Sequence, residues 1–292
     1  MLALRILSIV FPVFAIIGIG WWYGRLKRPD IQVTNQISMD VLVPALVFAA
    51  LASKSFDLAH YWPLAAAGAA VILGSGLLAW PVARLAGVEA KTFVPPMMFN
   101  NSGNMGIPLI VLAFGEAALP AAIVLFLTEM MLHFSLGPYL LAHRMGLVEL
   151  MKTPVMIATL LGVAVSFSGQ ALWPPFYTAI RMLGDASIPM LLFSLGVRLN
   201  QVSFRDWRIG ALSGLMAPAT GLMMVLVIDA LVPLSSRERA ILLVFGALPP
   251  AVLNYLMAEQ YGQEPEKVAS IVLLGNLASL AVMPVVLAFA LS

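Results

Sequence analysis

The chain has 292 residues, 61% hydrophobic and 10% charged, with a formal net charge of +2 and no cysteine. A soluble domain carries about 25% charged residues, whereas here apolar runs of roughly 20 residues, the length that crosses a bilayer, recur from end to end. A soluble fold, disulfides, thiolate metal sites and cysteine nucleophiles are excluded; widely spaced His60, His133 and His143 argue against zinc, and no basic patch interleaved with aromatics points to nucleic acid.

Hydropathy and breaker residues predict an all-α polytopic membrane protein of about ten spans. Rough limits are 3–24, 32–53, 61–86, 92–114, 117–142, 153–169, 177–199, 208–232, 239–261 and 267–291. Span 1 ends in Trp21-Trp22-Tyr23 without a small-residue cleavage pattern and reads as a retained helix, not a cleaved signal. Span 2 holds Asp40 and, four residues on, Pro44. Span 4 carries Pro95, Pro96, Asn100, Asn101, Ser102, Gly103, Asn104, Gly106 and Pro108, residues that a lipid-facing helix avoids. Span 5 carries Glu129 near the midplane and His133 one turn on, on the same face.

The second half repeats these signals. Span 7 holds Asp185 and Pro189, so that spans 2 and 7 both read D-x3-P-x-L-x-F. Span 9 holds Pro249, Pro250, Asn254 and Tyr255, so that spans 4 and 9 both read P-P-x3-N. Asp229 in span 8 reads as interfacial, Glu259 and Gln260 as a solvated helix end, and Asn276 lies at mid-depth in span 10. Two motif pairs in the same order predict a five-plus-five repeat, residues 1–146 and 147–292. An odd number of spans per repeat inverts the second half in the membrane.

Loop charge sets the orientation. Arg25, Lys27, Arg28, Arg84, Lys91, Arg144, Lys152, Arg198, Arg205, Arg208 and Lys267 fall on one side, and Arg5, Lys54, Arg181, Arg237 and Arg239 on the other. The first side is read as cytoplasmic, with both termini outside.

A proline removes a backbone hydrogen bond from a helix. In lipid the freed carbonyl is tolerated only where it is buried in protein or lines a cavity. Spans 4 and 9 are therefore expected to be broken helices inside the bundle, with the breaks just after each Pro pair, around Asn100–Gly103 and around Asn254. Asparagine amides there would offer donors to a carboxylate and carbonyl oxygens to a cation. The half-helix N-terminus adds partial positive charge, and Gly103 and Gly106 allow close backbone approach. The candidate substrate residues are Asn100, Asn101, Ser102, Asn104, Asn254 and Tyr255. The competing reading is two proline kinks whose asparagines bond neighbouring helices.

Glu129 with His133 is the candidate for ion coupling, by proton exchange or by sodium binding with Asn104 and Asn276. A protonated Glu129 bonding a neighbour is the structural alternative. Asp40 and Asp185 are expected to bond the backbone freed by Pro44 and Pro189.

Met105-Gly106-Ile107-Pro108-Leu109, Leu183-Gly184-Asp185-Ala186-Ser187-Ile188-Pro189, and Ala247-Leu248-Pro249 with Ala258-Glu259-Gln260-Tyr261 resemble segments of the auxin efflux carrier family. That family includes plant PIN-FORMED carriers and bacterial dicarboxylate carriers. The resemblance covers the whole chain. It implies a scaffold of spans 1, 2, 6 and 7, a mobile unit of spans 3–5 and 8–10, substrate at the crossing of spans 4 and 9, and a homodimer through the scaffold. The location implied is a bacterial inner membrane. Plant members carry proline where this chain has Asn100 and Asn254, which argues against auxin as cargo, and their long cytoplasmic loop is missing.

The leading function is a secondary transporter of a small organic anion that works by an elevator movement, with H⁺ or Na⁺ as the coupling ion. No ATP-binding loop of the G-x4-G-K-[ST] type occurs. A channel would need polar residues along one continuous path, and here they cluster at one depth. An enzyme would need a nucleophile with a base or a metal set, which the motifs do not supply.

Overall fold

The structure is a computed structural model that describes residues 2–53, 56–143, 147–200 and 206–291. Lys54, Arg144 and Arg205 of the charge pattern, and the repeat boundary at 146, lie outside the described residues.

The described residues form helices and no named strand. They are α1 (Leu2–Lys27), α2 (Gln32–Ile37), α3 (Val43–Leu51), α4 (Leu58–Leu85), α5 (Ala90–Met98), α6 (Ile107–Phe114), α7 (Leu119–Ala142), α8 (Leu147–Met151), α9 (Pro154–Ser168), α10 (Pro174–Arg198), α11 (Trp207–Asp229), α12 (Ser236–Gly246), α13 (Leu253–Gln260) and α14 (Pro265–Ala290). Among the described residues, seven segments are long and apolar enough to cross a membrane: α1, α2 through α3, α4, α7 with the short turn before it, α10, α11 and α14. The other three predicted spans are shorter. Residues 153–169 form the 15-residue α9. Residues 92–114 and 239–261 each divide into two short helices.

Local chemistry sets these ends. The Thr153 hydroxyl caps α9 by accepting the Met156 N–H, Pro154 fits its first turn, and Gly169 closes it at φ +65°. Ser235 and Glu238 cap α12 reciprocally, each side chain accepting the other's backbone N–H. Two π-helical turns, Ser38–Leu42 and Ser102–Gly106, run directly into α3 and α6, each just before a proline at the second helical position. A wide turn at that place accommodates the missing N–H and the ring without ending the segment.

The helices pack in two groups. In one, α1 packs on α10, α10 on α3 and α3 on α9; in the other, α4, α5, α7, α11, α12 and α14 form a connected set. The groups touch where α1 meets α6 and α14, α3 meets α7, and α10 meets the π turn before α6. Within the first group α1 and α10 approach backbone to backbone. A Cβ on Gly196 would lie 2.0 Å from the Ile17 carbonyl oxygen, and one on Gly20 would lie 2.2 Å from that of Phe193.

The aspartates differ from expectation. Asp40, in the first π turn, is exposed and accepts no side-chain hydrogen bond among the described residues, and Asp185 is 3.8 Å from the exposed Arg181. Neither bonds the backbone near its proline. The π turn absorbs Pro44, and in α10 the Ser187 hydroxyl donates to the Gly184 carbonyl at 2.6 Å.

Candidate functional site

Two interrupted segments meet between α5 and α6 and between α12 and α13. Asn100 lies opposite Pro250 in an isolated antiparallel bridge. The Asn101 N–H donates to the Pro249 carbonyl at 2.7 Å, and the Ala251 N–H donates to that of Phe99 at 2.9 Å. The first interruption follows its Pro pair, which lies inside α5. The second contains its pair: Pro249 and Pro250 sit in the irregular stretch itself, and Asn254 already belongs to α13. The two P-P-x3-N motifs are thus out of register in space. Of the predicted breaker residues, only Pro249 and Pro250 occupy an interruption; Gly103 and Gly106 lie in the π turn and Pro108 begins α6. A proline therefore does stand at the crossing, at position 250.

Each asparagine of the motif reaches across. Asn100 Nδ2 donates to the Phe245 carbonyl, at the end of α12, at 2.8 Å. Asn254 Nδ2 donates to the Phe99 carbonyl, just past α5, at 2.9 Å and to Ala251 at 3.0 Å. Both carbonyls lie where a helical segment ends and also accept a backbone N–H, Phe245 from Leu248 at 3.2 Å and Phe99 from Ala251 at 2.9 Å, so each asparagine adds a second bond across the crossing. Both side chains are buried, and the Oδ1 of each is without a partner among the described residues. Exchanging amide O and N would set an oxygen against a carbonyl oxygen, which fixes the assignment. Asn254 Nδ2 thus spends both its protons on backbone and Asn100 Nδ2 one of its two, while the two Oδ1 atoms accept nothing among the described residues.

Further unpaired donors come from the backbone. Met105 and Gly106 N–H groups both donate to the Asn101 carbonyl, while those of Ser102, Gly103 and Asn104 donate to no acceptor among the described residues. They open the apolar segment Ser102–Phe114, where the helix dipole favours negative charge.

Behind this turn lies the ionisable pair. Glu129 and His133 are 5% and 1% exposed. His133 Nδ1 lies 2.8 Å from one Glu129 oxygen, and the Ser102 hydroxyl donates to the other at 3.3 Å. Phe99 stacks on the His133 ring at 4.1 Å between centroids. The structure thus links Glu129 to the crossing through Ser102.

Asn276 belongs to a different network. Its Nδ2 donates to the Pro250 and Val272 carbonyls at 3.0 and 2.8 Å, and its Oδ1 accepts from Asn101 Nδ2 at 3.1 Å. It does not join Glu129, and half-buried Asn104 makes no side-chain hydrogen bond among the described residues, so the expected sodium set of Glu129, Asn104 and Asn276 is not assembled. Tyr255 is displaced from the site as well: its hydroxyl donates to Glu259 at 3.3 Å, at the exposed end of α13.

A further cluster had no motif to announce it. The Thr92 hydroxyl in α5 donates to Glu264 Oε2 at 2.5 Å and accepts from Gln263 Nε2 at 3.0 Å, while Lys267 donates to Glu264 Oε1. The hydrogen bonds from Lys267, first, and from Thr92 hold the Glu264 carboxyl below the usual carboxylate range. Glu264 has φ +40° and precedes α14. This cluster ties the start of α14 to α5.

A family model described as "Membrane transport protein" matches residues 138–287. An uncharacterized transporter of Methanocaldococcus jannaschii is 23% identical, with 95% of this chain and 96% of that protein covered. A Rhizobium meliloti protein named "Putative malonate transporter" is 26% identical over 95% of this chain and 93% of its own length. An uncharacterized transporter of Methanothermobacter thermautotrophicus is 27% identical over 89% of both.

Proposed function

We propose, for a chain that belongs to the membrane transport protein family in line with its resemblance to the auxin efflux carriers, that it is a secondary transporter of a small carboxylate. The observation that carries this reading is the crossing itself. Two interrupted segments face each other inside the bundle, and one offers three unpaired backbone N–H groups at a helix start. Non-helical backbone at membrane depth is tolerated where it is shielded by protein or lines a cavity, and paired interruptions of this kind hold substrate in secondary transporters. The relative named for malonate agrees with a small carboxylate as cargo.

In this reading α5 through α6 and α12 through α13 are spans 4 and 9 of a ten-span chain, two inverted repeats of five. α1, α3, α9 and α10 form the scaffold, through which two copies pair. The remaining spans move as a unit and carry the crossing from one side to the other. Both termini face outward. Glu129 couples the movement to a proton: buried with His133 and bonded to Ser102, it changes the turn that offers the free amides whenever its protonation changes. The test is uptake of labelled malonate by proteoliposomes under an imposed pH gradient. Saturable, gradient-driven accumulation is expected. Flux that equilibrates without accumulating under any ion gradient would favour a facilitator.

A further inference from the structure

The free groups at the crossing are unequal in kind. On the donor side are the backbone N–H groups of Ser102, Gly103 and Asn104. On the acceptor side are Asn100 Oδ1 and Asn254 Oδ1, both buried and both without a partner among the described residues. A buried acceptor left unsatisfied is costly, and a carboxylate dianion, which carries only acceptors, cannot satisfy it. Resting on the carboxylate reading above, we infer that the site selects a carboxylate that also carries a hydrogen-bond donor, so that a dicarboxylate is bound as its monoanion with one carboxyl group protonated. The ionised carboxylate faces the amides at the start of the Ser102–Phe114 segment, and the acid O–H donates to an asparagine oxygen. Such a cargo carries a proton of its own in addition to any held by Glu129.

The titratable groups around the crossing are Glu129 and His133 on α7, with Lys91 on α5 lining the small cavity that Asn254 and His133 share. Lys91 Nζ donates to the Leu141 carbonyl at 3.1 Å. Any change of charge on the protein would also make binding depend on pH, so the test must separate the ligand's proton from the protein's. Three probes do this: malonate; malonamate, which has one carboxylate and a permanent amide donor; and monomethyl malonate, which has one carboxylate and no donor. Affinity is measured on the purified full chain across the pH range above malonate's second pKa.

The expected result is that malonate weakens about tenfold per pH unit relative to malonamate, because only the monoanion binds. Malonamate should exceed the ester by about five- to a hundredfold at every pH. In Asn100→Ala or Asn254→Ala, the amide-to-ester ratio should fall toward one in whichever position receives the donor. Equal affinity for amide and ester, with a malonate-to-malonamate ratio that does not change with pH, would overturn the inference while leaving a carboxylate site in place. Binding of none of the three would overturn the carboxylate reading and this inference with it.

Discussion

Asn254 uses its amide protons to hold the carbonyl of Phe99, so its substitution acts on stability before it acts on transport. Asn254→Ala removes one of the two bonds on that carbonyl, which keeps the Ala251 N–H at 2.9 Å, and should cost about 0.5–1.5 kcal/mol. Asn254→Asp should cost more, because it sets an oxygen where the donor was, 2.9 Å from the carbonyl. Thermal unfolding in detergent checks the order. Glu129→Gln has the opposite profile: the side chain keeps its size, and its amide can still bond Ser102 and His133. Ligand binding and counterflow should persist while accumulation driven by a pH gradient disappears; unchanged accumulation would reduce Glu129 to a structural role. Sequence alone exposed the Glu129–His133 pair, because one helical turn brings such residues together whatever surrounds them. It did not expose which atoms of Asn100 and Asn254 are free. That depends on carbonyls that lie 145 and 155 residues away along the chain, and no local pattern encodes them.

The helices are held at a few close approaches, and these make element-scale predictions. Gly196 faces the Ile17 carbonyl so closely that a Cβ would force α1 and α10 apart, whereas one on Gly18 meets nothing within 4 Å. Gly196→Ala should therefore lower thermal stability by about 1–3 kcal/mol, and Gly18→Ala should leave it nearly unchanged. The clasp between α5 and the start of α14 predicts a pH effect. The Glu264 carboxyl is held below its unfolded value by Lys267 and Thr92. Its contribution is thus present above the unfolded value and lost as pH falls through the folded one. Thr92→Val should flatten the acid limb of the melting temperature, and an unchanged limb would show that the clasp is unimportant. The long helices were legible as apolar runs, and the interruption after α5 was legible from its prolines and glycines. The second interruption falls on its Pro pair and not after it, so the two P-P-x3-N motifs do not mean the same thing. In space Asn100 stands opposite Pro250, and such register is decided by tertiary packing rather than by the motif.

At the scale of the whole molecule, α1, α3, α9 and α10 pack apart from α4, α5, α7, α11, α12 and α14, a grouping that hydropathy could not give, since these helices are apolar whichever group they join. In the proposed mechanism the group with the crossing moves and opens one site to each side in turn. The chain has no cysteine, so a single cysteine can report on this. Asn104 is the suitable position, since it lies in the π turn, half-buried and with no side-chain hydrogen bond among the described residues. Asn104→Cys is treated with a membrane-impermeant thiol reagent from either side. This is done with and without malonate, and again after α1 is cross-linked to α6 across the boundary between the groups. The account predicts labelling from both sides in the free protein, slowed by ligand, and labelling from one side only once the link is made. Labelling from both sides in the linked protein would mean a continuous pore and would contradict the account.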